Sequence, residues 1–269
     1  MASSKKNTWL GHIETISSRG YHPEEMNIEG IEKVLNINDR FQPLFYHSIP
    51  ATYLIDYRMG KYMMVSKSAS ITLGYNAQEF IDNGVGMMID IYQKEDLKLF
   101  NEKIFPDRLE LLKAIPPEEH ANYIFSYSFR FKNKQGEYIT LLQRNSFIKS
   151  DANGRPLQSL GMVTDITHYA RNNPVIQMVE KVNVDGNAGA ASETVFKKAY
   201  YLHEEDLLFS RREKEVLLWM TDGLTSKEIA GKTFLSEATI INHRKNMLLK
   251  SGAKNVAELI AFALKKNIL

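Results

Sequence analysis

Helix punctuation between Leu208 and Leu269 constrains this chain more than any other feature. Ser210 is followed three residues later by Glu213, and Thr225 by Glu228. In each pair the hydroxyl can accept from a backbone N–H one turn ahead, and the carboxylate can reach back to the N–H of the cap. Both are donors that a helix start otherwise leaves unpaired. Asn255 with Glu258 is a close variant, and Ser236 is a cap without an acidic partner. Gly223 and Gly252 fall where a chain leaves a helix through a left-handed residue. The apolar spacing agrees with these ends. Val216, Leu217 and Met220 make one face; Ile229 and Ala230 make a second. Ile240, His243 and Met247 make a third, and Val256, Leu259, Ile260 and Ala263 a fourth. Each face needs cover, so four short helices around a small common core follow.

Burying Ile240 and Met247 decides what the third helix shows to the outside. At about 100° per residue, Ala238, Asn242, Lys245 and Leu249 point away from that face, with Ile241 beside them. Such a stripe suits a major groove. Asn can pair with an adenine edge, Lys can reach guanine or phosphate, and Ile can touch a thymine methyl. A stripe of this kind is ordinarily a solvated helix face. The short second helix and three-residue turn before it favour the groove.

The segments Ser210-Arg-Arg-Glu-Lys-Glu-Val-Leu217, Gly223-Leu-Thr-Ser-Lys-Glu-Ile-Ala230, Ser236-Glu-Ala-Thr-Ile-Ile-Asn-His-Arg-Lys-Asn-Met247 and Lys250-Ser-Gly-Ala-Lys-Asn255 together resemble the LuxR-type helix-turn-helix. The likeness runs through 208–269 without gaps. It implies that the third helix reads bases and that the fourth supplies a dimer contact. The base-reading positions of the family fall on Ile241, Asn242 and Lys245. Lys227, Lys232, Ser236, Thr239, Arg244 and Lys250 are the expected phosphate contacts. The family usually carries a cation where this chain has Ile241, so no known operator sequence is carried over. His243 matches a frequent family His but lies on the packing face.

Charge supports this division. Residues 206–269 carry 11 Lys and Arg against 7 Asp and Glu, hence +4; the other residues carry 23 against 25, hence −2. The smaller part is the cationic one, as a phosphate-binding module should be. The excess is modest, so salt-sensitive binding by a dimer is expected. With no apolar run long enough to span a bilayer and no apolar leader, the expected location is cytoplasmic. With no Cys at all, disulfides, thiolate metal sites and cysteine catalysis are excluded.

Upstream, residues 1–40 show helical spacing at Trp9, Leu10, Ile13 and Ile16 and again at Ile28, Ile31, Val34 and Leu35, predicting a helical extension, with a frayed, partly ordered tail as the alternative. Tyr53 to Val65 predicts a hairpin turning at Gly60. Ser66–Gly74 and Asn76–Asn83 predict two short helices. Met87–Ile115 predicts a helix interrupted at Pro106. Tyr123, Phe125, Tyr127, Phe129 and Phe131 alternate with more polar residues, predicting a half-buried strand with an aromatic inner face. Turns at Asn133–Gly136 and Asp151–Gly154 separate it from strands over Tyr138–Ile148 and Leu157–Ile166. This order, with Phe129-Arg-Phe-Lys-Asn-Lys-Gln-Gly-Glu-Tyr138 and Asp165-Ile-Thr167, resembles a PAS domain over 41–168. The expected fold is therefore α+β: a PAS-like five-stranded antiparallel sheet with helices on one face, followed by an all-α four-helix LuxR-type domain. The resemblance implies a pocket and a tendency to dimerise. Residues 169–207 are expected to be a linker. Within it, Val175–Val184 could add a strand, Asp185–Ser192 is small and polar, and Glu193–Leu208 is read as helical.

No catalytic or metal constellation accompanies these domains, and no enzyme or resident cofactor is expected. Haem would need an axial His, for which His47, His120 and His168 are the candidates. Asp56 at a strand end could suggest a phosphoacceptor, but the order around it is not alternating strand and helix. His203-Glu-Glu-Asp206 reads as solvated charge and not as a metal site. The aromatic sheet face leaves room for a small apolar or aromatic ligand. Two readings of different class remain: a regulator that binds double-stranded DNA as a homodimer and answers a small-molecule or protein signal, and an interaction adaptor built from the same two domains. A pigmented PAS-family sensor or enzyme is a third.

Overall fold

The computed structural model describes residues 8–17, 49–170, 174–185, 189–201, 208–266 and 268. The second helical spacing of the extension, His47 and the His203–Asp206 cluster lie outside those residues. The chain divides into two units: residues 1–170 with 181–191, and residues 171–180 with 192–269.

In the first unit, strands β1 (Ala51–Asp56) and β2 (Lys61–Val65) form the expected hairpin, and Gly60 supplies the positive φ that its turn requires. Strands β3 (Tyr123–Lys132), β4 (Tyr138–Ser150) and β5 (Pro156–Asp165) follow as an antiparallel meander. β5 then returns to pair with β1, so the strands lie in the order β2-β1-β5-β4-β3. Five α-helices come between β2 and β3. They are α2 (Ala69–Thr72), α3 (Ala77–Asn83), α4 (Met87–Ile91), α5 (Lys94–Leu99) and α6 (Phe105–Lys113), after an N-terminal α1 (Trp9–Ser17). This is the expected PAS-like α+β domain.

The inner face of the sheet is aromatic. Tyr123, Phe125, Tyr127, Phe129 and Phe131 are all buried, and Tyr127 stacks on Phe100 with ring centroids 5.1 Å apart. Helix α1 covers part of this core. Trp9 meets Phe100 edge-on at 5.5 Å, and buried His12 places Nε2 2.8 Å from the Pro156 carbonyl.

Two expectations need correction. The stretch from Met87 to Ile115 is broken well before Pro106. Tyr92 leaves the helix to bridge Phe131, and the Gln93 N–H donates to the Arg130 carbonyl at 3.0 Å. Pro106 sits in the first turn of α6, where its missing N–H costs nothing, and a π-helical turn over Phe100–Ile104 leads into it. The second correction concerns residues 193–200. They are not helical: β6 (Val175–Asp185) and β7 (Gly189–Tyr200) are strands that follow β3 in the sheet order. Thr194, Phe196 and Tyr200 alternate with Val195 and Ala199 at the period of a strand, and pairing outweighs the helix preference of Glu193, Lys197 and Lys198.

The second unit contains α7 (Arg211–Met220), α8 (Ser226–Thr233), α9 (Glu237–Ser251) and α10 (Val256–Lys265). They surround Leu217, Ile229, Ile240, Met247, Leu259 and Ala263, each wholly buried. α7 is more than an amphipathic helix, because every residue from Val216 to Met220 is buried. Ile176 of β6 and Ala199 of β7 pack against the same cluster.

Candidate nucleic-acid interface

The cap residues place each helix as their chemistry requires. The Ser210 N–H donates to Glu213 Oε2 at 2.7 Å, and the Glu213 N–H donates to Ser210 Oγ at 3.2 Å. Thr225 and Glu228 repeat the reciprocal pair. At Asn255 the device is altered: the Glu258 N–H donates to Asn255 Oδ1, but the Glu258 carboxylate takes the N–H of Lys254. Gly223 and Gly252 both have positive φ; Gly252 caps α9, and Gly223 follows the Thr221 cap of α7 by two residues.

The turn between α8 and α9 is short and sharply defined. Phe234 is left-handed at φ 56°, the one non-glycine residue with positive φ among the described residues. It ends α8, and the Leu235 N–H closes back on the Ala230 carbonyl at 3.2 Å. Ser236 then starts α9, accepting the Thr239 N–H at 3.1 Å, while the Ser236 and Thr239 hydroxyls lie 2.7 Å apart. The outer N–H groups of this helix start can take a phosphate oxygen.

On α9 the division of faces is clear. Ile240 and Met247 are fully buried, whereas Ala238, Ile241, Asn242, Lys245 and Leu249 are exposed. Asn242 and Lys245 have no side-chain partner among the described residues, so both heads are available. His243 is half-buried, between the two faces.

The expected phosphate contacts differ in how committed they are. Lys227 is exposed and unpaired among the described residues. Half-buried Arg244 donates from Nη1 to Ser226 Oγ at 3.2 Å and so ties α9 to the start of α8. Lys232 donates to Glu193 Oε1 at 3.0 Å and to the Thr194 carbonyl at 2.8 Å. Lys250 donates to Glu213 Oε2 at 2.7 Å. Burial pushes the Glu213 carboxyl up, but the Lys250 ammonium and the two Ser210 donors outweigh it and hold the group below the usual carboxylate range. Lys232 and Lys250 must therefore exchange a carboxylate for a phosphate if they are to bind DNA. Sequence reasoning missed these two partners, because each lies far away along the chain. It also missed Phe234, whose ring is 95% exposed beside the start of α9. A bulky aromatic just before a Leu-Ser helix start was the available signal.

In the first unit the candidate haem ligand His120 is fully buried and occupied. Its Nδ1 lies 2.7 Å from Ser150 Oγ, and its Nε2 lies 3.0 Å from the carbonyls of Leu112 and Ile115. His168 is exposed. Asp56 is buried and held by Arg58 Nη2 at 2.7 Å and Gln158 Nε2 at 2.8 Å, which closes it to phosphorylation.

A short capped helix, a tight left-handed turn and a longer helix with a polar outer stripe define a helix-turn-helix fold of the DNA-binding class. Residues 207–263 match the family described as bacterial regulatory proteins, luxR family, and this domain is accordingly a LuxR-family helix-turn-helix. The oxygen regulatory protein NreC of Staphylococcus aureus is 40% identical over 62 residues, 23% of this chain and 29% of NreC. The chain thus spans under a third of the curated relative it matches. Among solved structures, the VqmA dimer of Vibrio cholerae without its target DNA is similar over 87% of this chain and 89% of its own, at 14% identity and a TM-score of 0.36. VqmA bound to DPO covers 86% and 88% at 12% identity and a TM-score of 0.34. No helix among the described residues is long and apolar enough to cross a membrane.

Proposed function

We propose that this chain is a transcription regulator that binds double-stranded DNA as a homodimer in the cytoplasm, with its PAS-like domain receiving a signal. The observation that carries the reading is the α9 surface. Asn242 and Lys245 are exposed together on the helix that follows the turn, in a domain of the luxR family. Asn242 and Lys245 would specify bases, with Ile241 against a thymine methyl. Lys227, Lys232, Ser236, Thr239, Arg244 and Lys250 would position the domain on phosphates. Two copies would place their α9 helices about 34 Å apart on a near-palindromic site. The strands β6 and β7 each contribute residues to both units, which makes them the covalent route for a signal.

A mobility-shift titration of the full chain against random DNA at two salt concentrations tests the proposal. Binding that weakens steeply with salt supports a DNA-binding regulator. No binding at either concentration supports the adaptor reading instead.

A further inference from the structure

The first unit has a partly open cavity of about 60 Å³ between the sheet and the helices. Its walls are mostly apolar and nearly half aromatic, including Tyr53, Tyr62, Tyr92, Phe100 and Phe129. One wall residue does not belong there by the ordinary rules of burial. Arg108 of α6 is 1% exposed, between Phe105 and Leu112 on the packed face of its helix. Its Nη1 donates to Asn145 Oδ1 at 3.0 Å. Its Nε and Nη2 have no hydrogen-bond partner among the described residues. Those two N–H groups are the edge of a guanidinium whose bonds run parallel, the edge that grips both oxygens of a carboxylate.

The surroundings supply no counter-ion. Among the described residues no Asp or Glu pairs with Arg108. Its guanidinium carbon lies 4.9 Å from the centre of the Tyr127 ring and 5.5 Å from those of Phe100 and Phe125. The tyrosines nearby cannot answer its charge as phenolates, since burial pushes the hydroxyls of Tyr53, Tyr57, Tyr62, Tyr92 and Tyr127 above their ordinary range. They hydrogen-bond elsewhere: Tyr92 to Tyr127 at 2.7 Å, Tyr57 to Ser159 at 3.1 Å, and Tyr53 to Gln143. A buried cation in a ring of neutral aromatic groups is costly unless something negative joins it.

We propose that this cavity takes a small organic acid, with its carboxylate on the free edge of Arg108 and its apolar or aromatic body against the tyrosine and phenylalanine walls. The inference rests on the reading of the first unit as a sensor and names the chemistry it would sense. The cavity has room for roughly four to six water-sized groups, given that a single water needs on the order of 10–15 Å³ by this measure; bonded atoms sit closer together than waters, which admits acids of the size of propionate and benzoate. The rings over Arg108 hold the charge when the acid is absent, and the acid supplies the stronger partner.

Thermal melting and calorimetry of the full chain test this with two acids, propionate and benzoate, and their neutral matches, propionamide and benzamide. At least one acid should raise the melting temperature with increasing concentration, and its amide should not. Arg108→Met should weaken binding of that acid by about ten- to a hundredfold, the loss expected for hydrogen bonds to a charged group. In the absence of any acid, the same variant should melt at the same temperature as the parent or higher, because it removes an uncompensated charge. Three outcomes would overturn the proposal: neither acid binds at millimolar concentration, acid and amide bind alike, or ligand-free Arg108→Met melts lower. The last would make Arg108 a structural strut. Repeating the DNA titration with and without the bound acid separates this inference from the regulator reading. Acid binding without any effect on DNA affinity leaves the pocket assignment standing and removes the sensor role. DNA binding with no acid bound leaves the regulator reading standing and removes the pocket assignment.

Discussion

Glu213→Gln isolates one carboxylate that serves both stability and DNA binding. Glu213 is 3% exposed in its side chain, accepts the Ser210 N–H and binds the Lys250 ammonium, both at 2.7 Å. Glutamine keeps an oxygen for Ser210 but loses the charge. Lys250 is 41% exposed, so solvent screening reduces the ion pair to a fraction of its buried value. Adding the loss of a negative charge in the first turn of α7, the variant should cost about 1–2 kcal/mol at neutral pH. The pH dependence has a fixed sign. The folded-state pKa lies below the unfolded value, near 4.3, so the contribution is complete above that pH and is lost as pH falls through the folded pKa. Urea denaturation of the full chain should therefore show the parent and Glu213→Gln diverging above about pH 5 and converging in acid.

The same substitution releases Lys250. If that ammonium reaches a phosphate, the variant should bind random DNA more tightly at low salt and steepen the slope of log K against log salt by about 0.9, one released counterion. A variant as stable as the parent at pH 7, or a stability difference that does not change with pH, would refute the electrostatic role of Glu213. A properly folded variant with an unchanged salt slope would remove Lys250 from the phosphate contacts.

Other substitutions probe the remaining parts. Asn242→Ala should cost about 1–3 kcal/mol on a selected site and little on random DNA, measured by competition titration; an equal loss on both would sink its assignment to a base edge. Lys232→Ala should weaken all sequences alike and flatten the salt slope by about 0.9, provided phosphate displaces Glu193 from the ammonium. Gly161→Ala should destabilise the first unit by about 1–3 kcal/mol in chemical denaturation, since an added Cβ would overlap the Tyr53 hydroxyl and lie 2.9 Å from Asn145 Cβ.

What could be read from the residues depended on whether the cause was local. Ser210, Thr225, Ser236 and Asn255 each act within one helical turn, so the four C-terminal helices were legible, as was the outward stripe on α9. The aromatic alternation of β3 was equally local. The break at Tyr92 was not, because it is made by backbone bonds to Arg130 and Phe131 far along the chain. Strand β7 was misread because β6, its neighbour in the sheet, overrides residues that by themselves favour a helix. Arg108 left a readable trace that went unused. It stands three residues after Phe105 on the Phe105–Leu112 buried face, where a charge in a packed helix marks a site needing explanation. The partners of Lys232 and Lys250 left none.

The outer surface of α9 is the part of the molecule that stability alone does not account for. Ile241 is 51% exposed, Leu249 72% and Phe234 95%, in a domain whose other large apolar side chains are mostly covered. Polar replacements at those three positions would remove no core contact from the cluster around Ile240 and Met247. Single exposed apolar groups are common, but these three belong to one helix and the turn that feeds it, and they accompany an unpaired amide and an unpaired ammonium. A helix kept only to complete the bundle would need none of them outside. A helix meant to enter a groove needs the amide and cation for base edges, and apolar groups for methyls and sugars. Replacing Ile241 and Leu249 together by Ser separates these accounts. Loss of DNA affinity with unchanged thermal stability supports the groove, whereas loss of stability with unchanged affinity returns both residues to the packing of the bundle.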